Sequence, residues 1–464
     1  MSRKILLSFL GTNNYIPCNY YIEGQNGRKV ENVKYIQEAL VRLECKDFSS
    51  QDKVLLFLTK KAEKMNYWDN GQFNPETKEF NFLNAGLNTC LKKLKKEDFH
   101  FQINHKPIKE GFSKEEVWSI FETVADEIQE GDQVIFDITH AFRFLPMLGV
   151  VLLNFLKVTK NITVLGIHYG AFEKLGSIQE VIKMEIEDRN APILDLNILL
   201  EFQTWTSAVN NFVKFGETKE LSKVSQPIIN RLMSKSKGTD LVTKDVRYVI
   251  DQLALLLSNL QTNRLNILLD QDFTDFKEKL EKLPESDIDI KPIKQILKLI
   301  QNKVTPIIIS RELIWLESAK WCLEHQLVQQ AYTQLQEGLL TYSMQLFENE
   351  INSNNALKTL FEKHSFPTSP ERGHIQDRLF FSSLLNFIYK ASRNMLKDND
   401  EGGLVEISMI LQGDFFKSLG TIYAYITEPR NDINHAGIRN DPMKSAALKT
   451  RIGELIKQVE TLLS

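Results

Sequence analysis

Up to about residue 190, short apolar runs alternate with segments of helical spacing; beyond that point the alternation stops and only helical periodicity remains. Runs at 4–10, 54–59, 99–103, 133–139 and 162–168 read as strands, and 33–43, 113–128 and 144–158 as helices. Ser113 with Glu116 three residues on reads as an N-cap and capping box, and Gly131-Asp132 as a turn. Strands and helices in this order predict a mostly parallel, Rossmann-like sheet with helices on both faces. An edge strand is expected at 184–187, before a composition change at Asn190-Ala191-Pro192. Helices are then expected at 194–215, 245–269, 293–301, 309–325, 328–348 and 443–463, with loops at 234–243, 371–374 and 398–403. At 464 residues the chain is too long for one core. The expected division is an α/β domain over 1–190, a helical linker region over 191–305 and an all-α domain over 306–464.

Composition narrows the function. Hydrophobic content of 42% and charged content of 25% are ordinary for a globular chain, and a net charge of −3 excludes a generally basic nucleic-acid coat. Any RNA contact must come from local clusters. The N-terminal apolar run leads into Gly11-Thr12-Asn13-Asn14 rather than a cleavage site, and no run reaches the roughly 20 apolar residues of a membrane span. Cys18, Cys45, Cys90 and Cys322 are scattered, fitting reduced thiols and giving no zinc pattern. A soluble cytoplasmic protein with no membrane partner is expected.

In an open parallel sheet, ligands bind beyond the carboxyl ends of the strands, where strand order switches. These ends carry Gly11-Thr12-Asn13-Asn14, Thr59-Lys60-Lys61, Thr139-His140-Ala141-Phe142-Arg143 and His168-Tyr169-Gly170. Hydroxyls, amides, cations and an aromatic on one rim suit a ligand with phosphates and stacking bases. Thr12, Asn13, Asn14, Thr139, His140, Arg143 and Tyr169 are the candidate contacts. The 139–143 turn leads into an apolar helix, whose free N–H groups favour an anion, with Arg143 as its clamp. The same residues also fit a plainer arrangement, with Asp137 and Thr139 capping the helix and His140 packed under a loop. No Gly-x-Gly-x-x-Gly string follows the first strand and no phosphate-loop string occurs, which sets aside dinucleotide cofactors and ATP hydrolysis.

Late in the helical half, Pro429-Arg430-Asn431-Asp432-Ile433-Asn434-His435 sets an Arg and a His five positions apart beside amides. A metal-free ribonuclease needs such a pair. The 2′-hydroxyl of RNA attacks its own adjacent phosphate, His435 moves the protons, and Arg430 stabilises the transition-state charge. Because proline is favoured at the first helical position, a helix is expected to open at Pro429. Arg430 then sits in its first turn, and Asn431 orients His435 at i, i+4. On an ideal helix, however, Arg430 and His435 lie about 140° apart. Alone, the spacing is better described by a solvated helix start and a core histidine.

The string Asp137–Arg143 resembles the Asp-x-Thr-His-Gly-x-Arg motif of CRISPR-associated Rossmann-fold (CARF) domains, with Ala141 in the glycine's place. Pro146 and Tyr169-Gly170-Ala171 fit the same pattern. Arg430–His435 resembles the Arg-Asn-x-x-x-His motif of HEPN ribonucleases, and 204–216 looks like the linker helix of proteins that join the two. CARF followed by HEPN is the layout of the type III CRISPR ancillary ribonucleases, and the resemblance spans essentially the whole chain. It implies a sensor activated by a cyclic oligoadenylate, with cyclic tetra-adenylate expected ahead of the hexa-adenylate. It also implies a homodimer in which each chain gives Arg430, Asn431 and His435 to a composite cleft. Single-stranded RNA would be cut to 2′,3′-cyclic phosphate ends with no cofactor, no metal and no stable complex with the CRISPR effector. Two rivals remain: a non-catalytic CARF-type receptor whose helical half binds nucleic acid or a partner, and a HEPN toxin held by an antitoxin. The imidazole beside the cation speaks against the first, and the polar strand ends against the second.

Overall fold

The computed structural model describes residues 2–24, 28–74, 79–140, 144–288, 290, 292–397, 402–438 and 440–464. Ten strands occur among them: β1 (Lys4–Leu10), β2 (Cys18–Ile22), β3 (Lys29–Val33), β4 (Lys53–Leu58), β5 (Asn70–Asn74), β6 (Glu79–Asn84), β7 (Gln102–Pro107), β8 (Gln133–Asp137), β9 (Thr163–Gly170) and β10 (Asn190–Asp195). Eight form one sheet in the order β3-β2-β10-β9-β8-β1-β4-β7, and β5 and β6 form a separate hairpin. From β9 across to β7 all pairings are parallel; β10 runs antiparallel to β9, and β3 to β2.

Period-two alternation on parallel strands creates two cores. Leu6, Leu10, Val54, Leu56 and Ile135 pack on one face, with Leu40 of the helix Ile36–Glu44 and Leu91 of the helix Leu87–Leu94. Ile5, Leu7, Phe9, Leu55, Phe57 and Phe136 pack on the other, with Val124 of the helix Lys114–Glu127 and Leu152 of the helix Phe144–Thr159. Gly149 lets that last helix sit close to the sheet, since an added Cβ would lie 2.2 Å from Phe136 Cζ. The expected α/β layer is present, and β1 has the bounds read from sequence.

Several expectations need correction. Residues 186–188 make a single 3-10 turn, and the strand expected at 184–187 is instead β10, at the composition change. β10 joins the sheet because its Ala191 and Ile193 are fully buried beside β2 and β9. Ser113 does accept the Glu116 N–H at 3.2 Å, but the Glu116 carboxylate turns to the Gly111 and Phe112 N–H groups, so the capping box is half formed. The run expected at 99–103 is displaced to β7, a half-exposed edge strand with weak apolar patterning.

The chain divides into two compact units, Met1–Thr204 and Trp205–Ser464, with the helix Ile198–Phe215 carrying the chain from one to the other. The second unit is helical throughout its described residues, and a single hydrophobic core runs from Trp205 to Val459, across the junction expected at 305. The helix expected at 245–269 is two helices, Leu241–Gln261 and Leu265–Asp270, broken at Asn263 with φ +56°. That expected at 309–325 is Ile314–Glu324. Gly338 of the helix Val328–Ser353 crosses the helix Ile314–Glu324 so closely that a Cβ would lie 2.3 Å from Trp315. No described helix is long and apolar enough to cross a membrane.

Candidate functional site

Chain order in the parallel strands runs β1, β4, β7 to one side and β8, β9 to the other, so strand order switches between β1 and β8. Thr12 and Asn13 follow β1, Thr139 and His140 follow β8, and Tyr169 lies near the end of β9. The structure brings them together at two adjoining cavities. One, of about 230 Å³, is lined by Thr12, Asn13, Thr59, Thr139 and His140. The other, of about 280 Å³, takes in Asn13, Asn14, Thr139, His140, Tyr169 and Lys34. Arg143, with Ala141 and Phe142, lies outside the described residues.

A buried polar frame holds the rim. Asp137, fully buried, accepts from Ser8 Oγ at 2.7 Å and from the Thr139 N–H at 2.9 Å, while Gln37 donates to Ser8 Oγ at 3.0 Å. Burial raises the Asp137 pKa against the lowering by Thr139 and Ser8. Thr139 Oγ1 accepts the Gly170 N–H at 2.8 Å, so this hydroxyl staples the end of β8 to β9. His140 packs edge-on against Tyr15, ring centroids 4.5 Å apart, and its Nε2 is buried with no hydrogen-bond partner among the described residues. Desolvation pushes its pKa down to about 4, so the ring is a neutral acceptor or donor facing the cavities at neutral pH. Burial, then Glu173 beside the hydroxyl, raises Tyr169 to about 12, keeping it a protonated donor.

Three contributors were missed in the sequence. Tyr15 buttresses His140 and accepts the Gly11 N–H at 3.0 Å. Asn66 donates to the Gly11 and Asn13 carbonyls at 2.9 and 3.0 Å, fixing the loop after β1. Lys34 brings a cation, its pKa lowered by burial. A lysine between a strand and a helix was a readable signal; Asn66, more than fifty residues from its partners, carried none.

At the second candidate position, the helix runs Asp414–Asn434 with Pro429 inside it. This overturns the expectation that a helix opens at Pro429. The buried face Leu419, Ile422, Tyr423, Ile426 and Pro429 is continuous, and its packing outweighs the missing N–H. Arg430 therefore lies just before the last turn, toward the negative end of the helix dipole, where a cation is favoured but a phosphate is not. His435 is the C-cap, and the end closes with the Gly437 N–H on the Asp432 carbonyl at 2.8 Å and Ala436 at φ +56°. Arg430 Nη2 lies 3.7 Å from Glu337 Oε1, and Glu337 also binds Arg378 at 2.5 Å. With its amide oxygen turned toward the guanidinium, Asn434 accepts from Arg430 Nε at 2.9 Å. Asn431 and His435 are exposed and joined by the His435 N–H on the Asn431 carbonyl at 3.0 Å. The structure keeps Arg430, Asn431 and His435 on one helix end, with the cation and the imidazole on different faces.

Sheet, switch point and polar crevice define an α/β domain of the ligand-binding, doubly wound class. Residues 5–173 match the family model described as "CRISPR system endoribonuclease Csx1, CARF domain". "CRISPR-associated protein MJ1674" of Methanocaldococcus jannaschii is 28% identical over 193 residues, 40% of this chain and 29% of that protein, so the match spans under a third of that relative. A solved structure of Enterococcus italicus Csm6 bound to cyclic hexa-2′-fluoro-hexa-dAMP aligns over 100% of this chain and 94% of that chain, at 11% identity and a TM-score of 0.30. The first unit is thus similar, over residues 5–173, to CARF domains of the CRISPR-associated kind.

Proposed function

We propose that this protein is a homodimeric, metal-independent endoribonuclease of type III CRISPR defence, acting in the cytoplasm and switched on by a cyclic oligoadenylate. The observation that carries the reading is the meeting of Thr12, Asn13, Asn14, Thr139, His140 and Tyr169 at the switch-point crevice of a unit that matches CARF domains. Hydroxyl, amide and aromatic groups there suit the phosphates and bases of an oligoadenylate, cyclic tetra-adenylate in the first instance, and Arg143 adds the clamp.

The ribonuclease lies within 306–464 and is of the HEPN type. His435 handles the protons of 2′-hydroxyl attack, Arg430 holds the charge of the phosphorane-like transition state, and Asn431 orients the imidazole. Because Arg430 and His435 face different ways on one helix, a twofold partner supplies the missing face of the cleft. A dimer is also supported by the helix Phe144–Thr159. Its Met147, Val151, Phe155 and Val158 are 71, 59, 48 and 84% exposed in a single apolar stripe, with Trp118 at 56% beside them.

A second reading, a receptor that binds nucleic acid or a partner without cutting, is favoured by one observation: Arg430 lies against the Glu337 carboxylate, toward the C-terminal end of its helix. Cleavage of single-stranded RNA with and without cyclic tetra- and hexa-adenylate, in the presence of EDTA, separates the two. The ribonuclease reading expects activator-dependent cutting to 2′,3′-cyclic phosphate ends, reduced at least about a hundredfold by His435→Ala. Activator binding without cleavage establishes the receptor instead.

A further inference from the structure

A cavity of about 750 Å³ opens where the end of the helix Ile375–Ser392 meets the first half of Asp414–Asn434 and the second half of Ser445–Leu463. Arg393, Lys417 and Lys457 line it, with no carboxylate among its described lining residues. None of these three cations is ion-paired among the described residues, although Glu460, on the same helix as Lys457, pairs with Lys320 at 2.5 Å. Arg393 Nη2 instead lies 3.5 Å from the Tyr425 hydroxyl, and the Arg451 guanidinium sits 4.8 Å over the Tyr425 ring. Three unneutralised cations in one concavity call for a polyanion.

The hydroxyls refine the class. Ser392 donates to the Tyr389 carbonyl, Thr421 to Lys417 and Thr461 to Lys457, at 2.7, 2.7 and 3.0 Å. With those protons committed to helix carbonyls, the lone pairs left on the three oxygens accept. The cavity thus offers cations for anions and acceptors for hydroxyl donors. A DNA backbone satisfies only the first demand; a ribose-phosphate strand, with its 2′-hydroxyls, satisfies both along its length. Thr421 precedes Arg430 by nine residues on one helix, about 14 Å along its axis.

We propose that this cavity is a backbone-binding subsite for single-stranded RNA, separate from the Arg430–His435 centre. It rests on the RNA-directed reading above only for its substrate class, since binding here requires no cleavage. The test is fluorescence anisotropy of the full-length protein with labelled single-stranded RNA of about ten nucleotides, and its 2′-deoxy counterpart, across a salt series. Lys417→Ala/Lys457→Ala should weaken RNA binding on the order of tenfold and shrink the salt slope by about 1.4, two phosphate contacts at about 0.7 each. Lys417→Arg/Lys457→Arg should restore both. Thr421→Val should narrow the preference for RNA over DNA. Unchanged affinity and salt slope in the alanine pair overturns the proposal, as does an arginine pair no better than the alanine pair. A wild-type chain that binds RNA with this pattern yet never cuts it refutes the ribonuclease and leaves the subsite standing.

Discussion

His140 is the residue whose ionisation the crevice controls most directly, and that control is measurable. Its folded pKa of about 4 lies below the value near 6.5 of a solvated imidazole. Between the two, the unfolded chain binds the extra proton. The residue's contribution is therefore complete above about pH 6.5 and is lost as pH falls through 4, at no more than about 1.4 kcal/mol per pH unit. Wild type should lose stability more steeply than His140→Gln between about pH 7 and 5, read from denaturant midpoints. Equal slopes would mean a solvated ring. Asp137, raised by burial, acts with the opposite sign but is common to both proteins. Residue identity at the rim was legible, because polar groups cluster at strand ends for a reason of topology. What Thr139 does there was not: its bond to the Gly170 N–H depends on strand pairing across 31 positions.

Elements show where local rules yield to packing. Proline at 429 was read as a helix start, yet the apolar stripe from Leu419 through Ile426 carries the helix past it. Restoring the N–H with Pro429→Ala should raise stability by about 1 kcal/mol, the relieved backbone outweighing the packing lost. A lowered melting temperature would mean that the ring's contacts dominate. Gly149→Ala should do the reverse, since a Cβ 2.2 Å from Phe136 Cζ forces the helix off the sheet at a cost of about 1–3 kcal/mol. Buried strands β1, β4 and β8 were readable from apolar runs. β3, with the sequence Lys-Val-Glu-Asn-Val, lies at a sheet edge where solvent removes that signal, and β10 hides behind a proline.

For the molecule as a whole, the exposed stripe on the helix Phe144–Thr159 makes a direct claim about assembly. Val151→Glu/Phe155→Glu should halve the mass seen by light scattering and abolish activated cleavage with it; an unchanged mass would place the interface elsewhere. The change from sheet to helices was visible as a change of period, but the division at Thr204 was not, because the helix Ile198–Phe215 runs through it without a break in pattern. The placing of β1 between β4 and β8 also has a consequence during synthesis. β1 leaves the ribosome before the other strands of its sheet, yet it is central, and one of its two neighbours is not made until residue 133. At roughly 5–20 residues per second, a mostly apolar strand edge waits on the order of ten seconds for that partner. Newly made chains must spend that interval guarded, by a chaperone or by provisional pairing, and any stall before β8 leaves the nascent protein with an adhesive flank and no nucleotide crevice.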